Sequence, residues 1–194
     1  MTGIILAGGR SYRMGTEKAF LEIDGTRIID RTISLFKSIF DEVIIATNLP
    51  LLYLDFGVTV VTDFYKESGP LSGIYAGLFF ASSNHVFICS CDMPFINVSF
   101  IEYMISHTDD YDILVPHTME GYQPLHAIYG KKCLPLARKM LEQSKLKIDY
   151  LYKEYKELHI LSIEEAVLEA FDPSKKMFIN VNTQEDMKKI LTLL

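Results

Sequence analysis

Apolar and polar positions along this chain follow two rhythms. Short apolar runs rich in β-branched residues predict strands over Thr2–Ala7, Val43–Thr47, Val58–Val61, Val86–Ser90, Ile113–Pro116 and Leu125–Tyr129. Between them, apolar residues recur every three to four positions. Ile29, Ile33, Phe36 and Phe40 predict a helix over Thr26–Phe40, and Pro70, suited to a first helical position, opens another over Leu71–Ala81. Further helices are predicted over Ser99–Ser106, Lys132–Glu142, Ile148–Tyr155 and Ile163–Ala170. A last one runs over Thr183–Leu194, with Thr183 as its cap and Asp186 in its first turn. Continuous apolar strands alternating with helices imply an α/β fold: a three-layer, Rossmann-like arrangement with a mostly parallel sheet and helices on both faces. In such sheets ligands sit beyond the carboxyl ends of the strands.

The chain has 194 residues, which at about 150 residues per domain predicts one domain spanning 1–194. The β-α-β alternation is cleanest up to about Pro116, so an N-terminal nucleotide-binding half (1–116) and an acceptor-side half (117–194) are expected within it. Apolar residues make up 49% and charged residues 23%, which excludes extended disorder and fibrous repeats. Lys plus Arg number 19 against 25 Asp plus Glu, a net charge of −6. That balance argues against a nucleic-acid partner and leaves free nucleotides open, since a pocket can be cationic on an acidic protein. The uncharged run from Ser68 to Cys91 is long enough to span a bilayer. It is broken by Gly69-Pro70 and by Ser82-Ser83-Asn84-His85, so a buried helix followed by a strand is expected, and no membrane partner. Cys89, Cys91 and Cys133 form neither a disulfide framework nor a zinc pattern. They predict buried strand thiols in a reducing cytoplasm.

Candidate chemistry gathers at predicted strand ends. The first strand runs into Leu6-Ala7-Gly8-Gly9-Arg10-Ser11-Tyr12-Arg13-Met14-Gly15-Thr16-Glu17-Lys18. Gly8 and Gly9 let the backbone approach a ligand, and Arg10, Arg13 and Lys18 add the charge a triphosphate needs. A surface turn with solvated basic residues would read the same way. Asp92 ends the buried strand Val86–Ser90 and suits Mg²⁺, which needs one or two protein carboxylates beside phosphate oxygens and water. Asp92-Met93-Pro94 also suits a turn. Asn48 and Asp63 follow two other strands, where they can meet a base or sugar or simply form turns. Gly69-Pro70-Leu71-Ser72-Gly73 makes a tight helix entry with N–H groups toward a ligand. Gln123 and Pro124 precede a strand. Asn180 and Asn182, alternating before the last helix, would point the same way from an extended segment or serve as caps. His126 reads as a core or surface histidine before a catalytic base. No Ser/His/Asp signature and no protein nucleophile can be assembled.

These motifs carry a resemblance. Leu6 to Lys18 resembles the LAGGxSxRMGxDK signature of the molybdenum cofactor guanylyltransferases, within the nucleotide-diphospho-sugar transferase fold. Gly69–Gly73 resembles that family's GPLxG segment, Cys91-Asp92-Met93-Pro94 its CDxP, Gln123-Pro124-Leu125 its QPL and Asn180–Thr183 its NxNTPED. The matches keep their order over nearly the whole chain. Glu17 stands where the family carries Asp, and Ala46 where it often carries a polar residue. The resemblance implies a cytoplasmic, Mg²⁺-dependent nucleotidyltransferase that joins GTP to molybdopterin and releases pyrophosphate. It implies that Leu6, Ala7 and Gly8 line the GTP site, Lys18 and Arg13 meet phosphate, Asp63 touches the nucleoside and Asp92 binds Mg²⁺. Gln123, Pro124, Asn180 and Asn182 would face the pterin acceptor. It further implies other cofactor-synthesis proteins and molybdoenzyme chaperones as partners. Gly8-Gly9, where cytidylyl relatives tend to carry Ala-Gly, favours guanylyl over cytidylyl transfer. A nucleotide-binding protein without turnover is the other alternative.

Overall fold

In chain order, the computed structural model, which describes residues 1–8 and 18–191, begins with strand β1 (Thr2–Leu6). A small hairpin of β2 (Glu22–Ile23) and β3 (Thr26–Arg27) follows, then α1 (Ile28–Ile39), β4 (Glu42–Ala46), β5 (Thr59–Val61) and α2 (Pro70–Phe80). Next come β6 (His85–Ser90), α3 (Val98–Ile105), β7 (Ile113–Thr118), β8 (Gly121–Tyr122), β9 (His126–Gly130) and α4 (Cys133–Glu142). The order ends with α5 (Asp149–Glu154), β10 (Ile160–Glu164), α6 (Glu165–Phe171) and α7 (Gln184–Leu191).

The main sheet has the order β10-β7-β9-β6-β1-β4-β5, with β8 paired to β7. β4, β1, β6 and β5 run parallel, as do β7 and β10, while β9 runs antiparallel between β6 and β7. Alternating strand residues divide between two cores. Ile4, Leu6, Ile44, Ala46, Val86 and Ile88 pack with α2, α4 and α5 on one face. Ile5, Val43, Ile45, Phe87 and Cys89 pack with α1, α3 and α6 on the other. The period of two along each strand thus delivers helices to both faces. Helix α2 is buried continuously from Leu71 to Leu78, because it is wedged between the sheet and α4. That explains its apolar residues on every side. Most of the uncharged run is therefore α2 and β6, and no helix among the described residues is long and apolar enough to cross a membrane.

Three expectations are corrected. The helix expected from Thr26 starts at Ile28, because Thr26 and Arg27 pair with Ile23 and Glu22 across an Asp24-Gly25 turn. Both turn residues have positive φ, 51° and 71°, as a tight hairpin turn of this sequence requires. Ile163 belongs to β10 rather than to a helix, since Ile160–Glu164 pairs with β7. Cys133 opens α4 and Cys91 is only half-buried, so Cys89 alone is a buried strand thiol; none of the three is in a disulfide.

The chain runs from β1 outward through β4 and β5, then returns to lay β6 on the other side of β1. The order therefore reverses between β1 and β6. Just past their carboxyl ends the Cys91 N–H donates to the Leu6 carbonyl at 3.0 Å. A third, small cluster of Ile23, Ile28, Val181 and Ile190 ties the β2–β3 hairpin to the C-terminal segment beside this crevice.

Candidate active site

At the end of β1, the Ala7 N–H still donates to the Ala46 carbonyl at 2.9 Å. The chain leaves the sheet at exposed Gly8. Among the described residues a Cβ on Gly8 would meet nothing within 4 Å, so their packing does not demand glycine there. Gly9, Arg10 and Arg13 lie outside the described residues. Lys18 opens a short turn through Phe20 whose middle residue, Ala19, is fully buried, which anchors the base of the lysine.

Three of the expected residues come together from three distant segments. Lys18 Nζ donates to Asn182 Oδ1 at 2.5 Å and stands 3.6 Å from Asp92 Oδ2. The side chains of Lys18 and Asp92 are 21% and 16% exposed, so the pair is reachable from the crevice yet shielded from full solvation. Asp92 Oδ1 accepts a hydrogen bond from Ser90 Oγ at 2.6 Å, and its carbonyl accepts from the Val181 N–H at 2.8 Å. Asn182 is held in turn by a reciprocal cap. Asp186 Oδ2 accepts from the N–H groups of Asn182 and Thr183, while Thr183 Oγ1 accepts from the Asp186 N–H. The expected cap and first-turn carboxylate are thus present. Val181 is buried, Asn180 half-buried and Asn182 exposed. Sequence reading passes over Ser90; its signal is a hydroxyl two residues before an acid at a strand end.

A second group lies at the ends of β4 and β5. Asn48 Nδ2 donates to Asp63 Oδ2 at 2.8 Å. Burial raises the Asp63 carboxyl above its ordinary pKa, and the Asn48 hydrogen bond offsets part of that rise. Gly73, in the first turn of α2, faces the same space. A Cβ there would stand 3.0 Å from Leu6 Cδ2 and 3.8 Å from Asp63 Oδ1, so glycine keeps this recess open. Gly69, with φ 65° and ψ −160°, turns the chain into α2 in a conformation essentially restricted to glycine, and Pro70 follows at the first helical position. The positive end of the α2 dipole then faces the crevice.

Gln123, Pro124 and Leu125 lie on the other side of β6. The Gln123 N–H donates to the Pro116 carbonyl at 2.9 Å and its Nε2 to Thr118 Oγ1 at 3.3 Å. Tyr129 OH donates to the Pro124 carbonyl at 2.8 Å. The Ser90 N–H donates to the Leu125 carbonyl at 3.1 Å, which joins this segment to the residue that orients Asp92. His126 is not part of the crevice. It is fully buried among the rings of Phe87, Phe100 and Phe178, and burial pushes its pKa down to about 3.

Among the described residues no three His, Cys, Asp or Glu side chains gather as a metal site. Asp92 offers one hard carboxylate at a strand end, with Oδ1 already oriented by Ser90. This sparse oxygen set fits Mg²⁺, which keeps waters and takes phosphate oxygens as its remaining ligands; it would not fit a cation needing a complete protein cage.

A family model described as a MobA-like NTP transferase domain matches residues 3–158. A molybdenum cofactor guanylyltransferase of Desulfosudis oleivorans is 39% identical over 191 residues, covering 97% of this chain and 93% of the relative. The crystal structure of molybdopterin-guanine dinucleotide biosynthesis protein A from Archaeoglobus fulgidus superposes with a TM-score of 0.85 at 22% identity, over 100% of this chain and 98% of that one. A Mycobacterium tuberculosis protein in complex with manganese superposes with a TM-score of 0.68 at 16% identity, over 100% and 98% of the two chains. These two likenesses establish a shared nucleotide-diphospho-sugar transferase fold. With the family model covering most of its length and a relative this similar across nearly all of it, the chain belongs to the MobA-like NTP transferase family.

Proposed function

We propose that this protein transfers GMP from GTP to a molybdopterin-type molybdenum cofactor, forming the guanine dinucleotide and releasing pyrophosphate. The observation that carries this reading is the meeting of Lys18, Asp92 and Asn182 at the strand-order reversal. It joins a phosphate-binding cation, a carboxylate suited to Mg²⁺ and an acceptor-side amide within a few ångströms. The guanylyltransferase name of the Desulfosudis oleivorans relative supports the choice of nucleotide and acceptor.

In the reaction a terminal phosphate oxygen of the acceptor forms a bond to the α-phosphorus of GTP. The bond from that phosphorus to the bridging oxygen breaks, and pyrophosphate leaves with the electron pair. No protein nucleophile is needed, only positioning and charge neutralisation. Lys18 and Arg13 serve as the phosphate-binding residues, with Leu6, Ala7, Gly8 and Gly9 as nucleotide-binding residues. Asn48, Asp63 and Gly73 enclose the nucleoside. Gln123, Pro124, Asn180 and Asn182 orient the acceptor. Asp92, oriented by Ser90, would hold Mg²⁺, which neutralises charge on the triphosphate. The manganese complex of a protein with the same fold supports a divalent ion. Residues 1–116 then serve the nucleotide and 117–194 the acceptor within one nucleotidyltransferase unit. Three cysteines outside any disulfide support a reducing cytoplasm as its setting, with other cofactor-synthesis proteins and molybdoenzyme chaperones as its partners.

The test is pyrophosphate release by the purified chain with Mg²⁺, molybdenum cofactor and either GTP or CTP. Release with GTP and acceptor together, and little with CTP, is expected. A preference for CTP would overturn the guanylyl assignment. Binding of GTP with no release in the presence of acceptor would overturn the enzymatic one.

A further inference from the structure

Immediately before the Gln123-Pro124 segment lies an aromatic group that the reaction described above does not use. Tyr122, half-buried in β8, pairs in register with His117 of β7. Its ring centroid stands 4.5 Å from the His117 ring and 4.9 Å from the Tyr152 ring of α5. Both neighbours are themselves fixed. His117 Nδ1 hydrogen-bonds Glu164 Oε2 at 3.3 Å. Tyr152 OH lies 2.5 Å from Tyr129 OH, which donates to the Pro124 carbonyl, so Tyr152 is the donor between the two tyrosines. A ring held on two sides, yet still partly exposed, is pre-organised to take a third planar partner at little entropic cost.

Its location matches the acceptor side. Leu125, three residues on, is hydrogen-bonded to Ser90, which orients Asp92. Three residues of extended chain reach at most about 10 Å. We propose that Tyr122, backed by His117 and Tyr152, is the surface on which the planar heteroaromatic ring of the acceptor stacks, while Gln123 and Pro124 meet its edge. This rests on the acceptor reading given above and names the side chain that selects for a flat ring.

Two measurements on the full chain test it. In steady-state turnover, Tyr122→Leu should raise the acceptor KM about 10-fold or more, the range of a lost ring-stacking contact. The GTP KM should stay unchanged and Tyr122→Phe should lie within about twofold of the parent. The chain contains no tryptophan, so Tyr122→Trp supplies a single indole reporter at the site. A 6-substituted pterin should quench its emission, and GTP with Mg²⁺ alone should not. An unchanged acceptor KM in Tyr122→Leu, a parallel rise in both KM values, or quenching by GTP alone would overturn the stacking role. Turnover by the parent protein with those results would leave guanylyl transfer standing. No turnover by the parent protein would be the failure of that broader reading and would remove this one with it.

Discussion

Lys18 donates a 2.5 Å hydrogen bond to Asn182, across 164 residues of sequence. The bond links the end of the glycine-rich loop to the segment before the last helix. It is made possible by the small apolar cluster of Ile23, Ile28, Val181 and Ile190. Val181 also donates its N–H to the Asp92 carbonyl, so one buried residue joins the strand end that carries Asp92 to the segment that carries Asn182.

Asp92→Ala should lower turnover by about 10² or more, the range for losing a charge-organising group at a reacting phosphate. The thermal midpoint should hardly move, because the Asp92 backbone still accepts from Val181. Lys18→Ala should weaken GTP binding by about 10-fold or more, as a lost charge-assisted hydrogen bond does. Pyrophosphate release and GTP titration read these out. Parent-like turnover of Asp92→Ala removes Asp92 from the metal role, and unchanged GTP affinity removes Lys18 from the phosphate site.

Two glycines of the same stretch should respond oppositely to alanine. A Cβ on Gly3 would fall 2.3 Å from Phe40 Cδ2 and 2.7 Å from Phe36 Cδ2. Both rings are packed with Phe87, so neither can swing away. Gly3→Ala should cost about 1–3 kcal/mol, a drop of about 2–10 °C in Tm for a chain of this size. Gly8→Ala meets no described residue within 4 Å and should keep its Tm, while GTP binding should weaken if the nucleotide lies along this backbone. Equal Tm values for the two variants would refute the packing argument.

The strands were readable where burial is complete. β1 and β6 are buried on both faces and present unbroken apolar runs, and α2 announces itself by Pro70. Edge elements were less legible. In β10, Ile160, Leu161 and Ser162 are only half-buried, so no clean period marks the strand. Its place depends on Asp112, which accepts from the His159 N–H at 2.9 Å, a contact 47 residues away that local pattern cannot contain. The hairpin at Asp24-Gly25 was not legible, because its strands are two residues each, too short to show alternation. In the candidate site, Lys18, Asp92 and Asn182 were visible as motif residues. Their mutual contact was not, because it is assembled by Val181 and the hairpin rather than by any spacing in the chain.

Asp63 gives a pH prediction. Burial lifts its carboxyl above the ordinary value of about 3.9. As pH falls, it therefore takes up a proton earlier than an exposed aspartate would and loses an acceptor facing the nucleoside. GTP affinity of the parent protein should fall more steeply with acidification than that of Asp63→Asn, which has no such titration. At neutral pH the same variant should bind GTP about 10-fold more weakly, yet unfold at a slightly higher temperature, because it no longer keeps a charge in a desolvated position. Parallel pH profiles for the two proteins would exclude Asp63 from nucleoside binding.

His126 should govern acid stability instead of catalysis. It is fully buried against Phe87, Phe100 and Phe178, and neither ring nitrogen has a hydrogen-bond partner among the described residues. Its folded pKa of about 3 lies below the unfolded value of about 6.5. Below pH ~6.5 the unfolded chain gains a proton that the folded chain refuses, so stability is full above that pH. It falls by about 1.4 kcal/mol per pH unit on the way toward the folded pKa. Between pH 7 and 5 the parent protein should lose about 2 kcal/mol more than His126→Leu, as read by chemical denaturation at the two pH values. Turnover of His126→Leu at pH 7 should stay within a few-fold of the parent, because the ring touches the core and not the crevice. A pH–rate profile that loses its acid limb in this variant, with no change in acid stability, would instead make His126 a proton-transfer group.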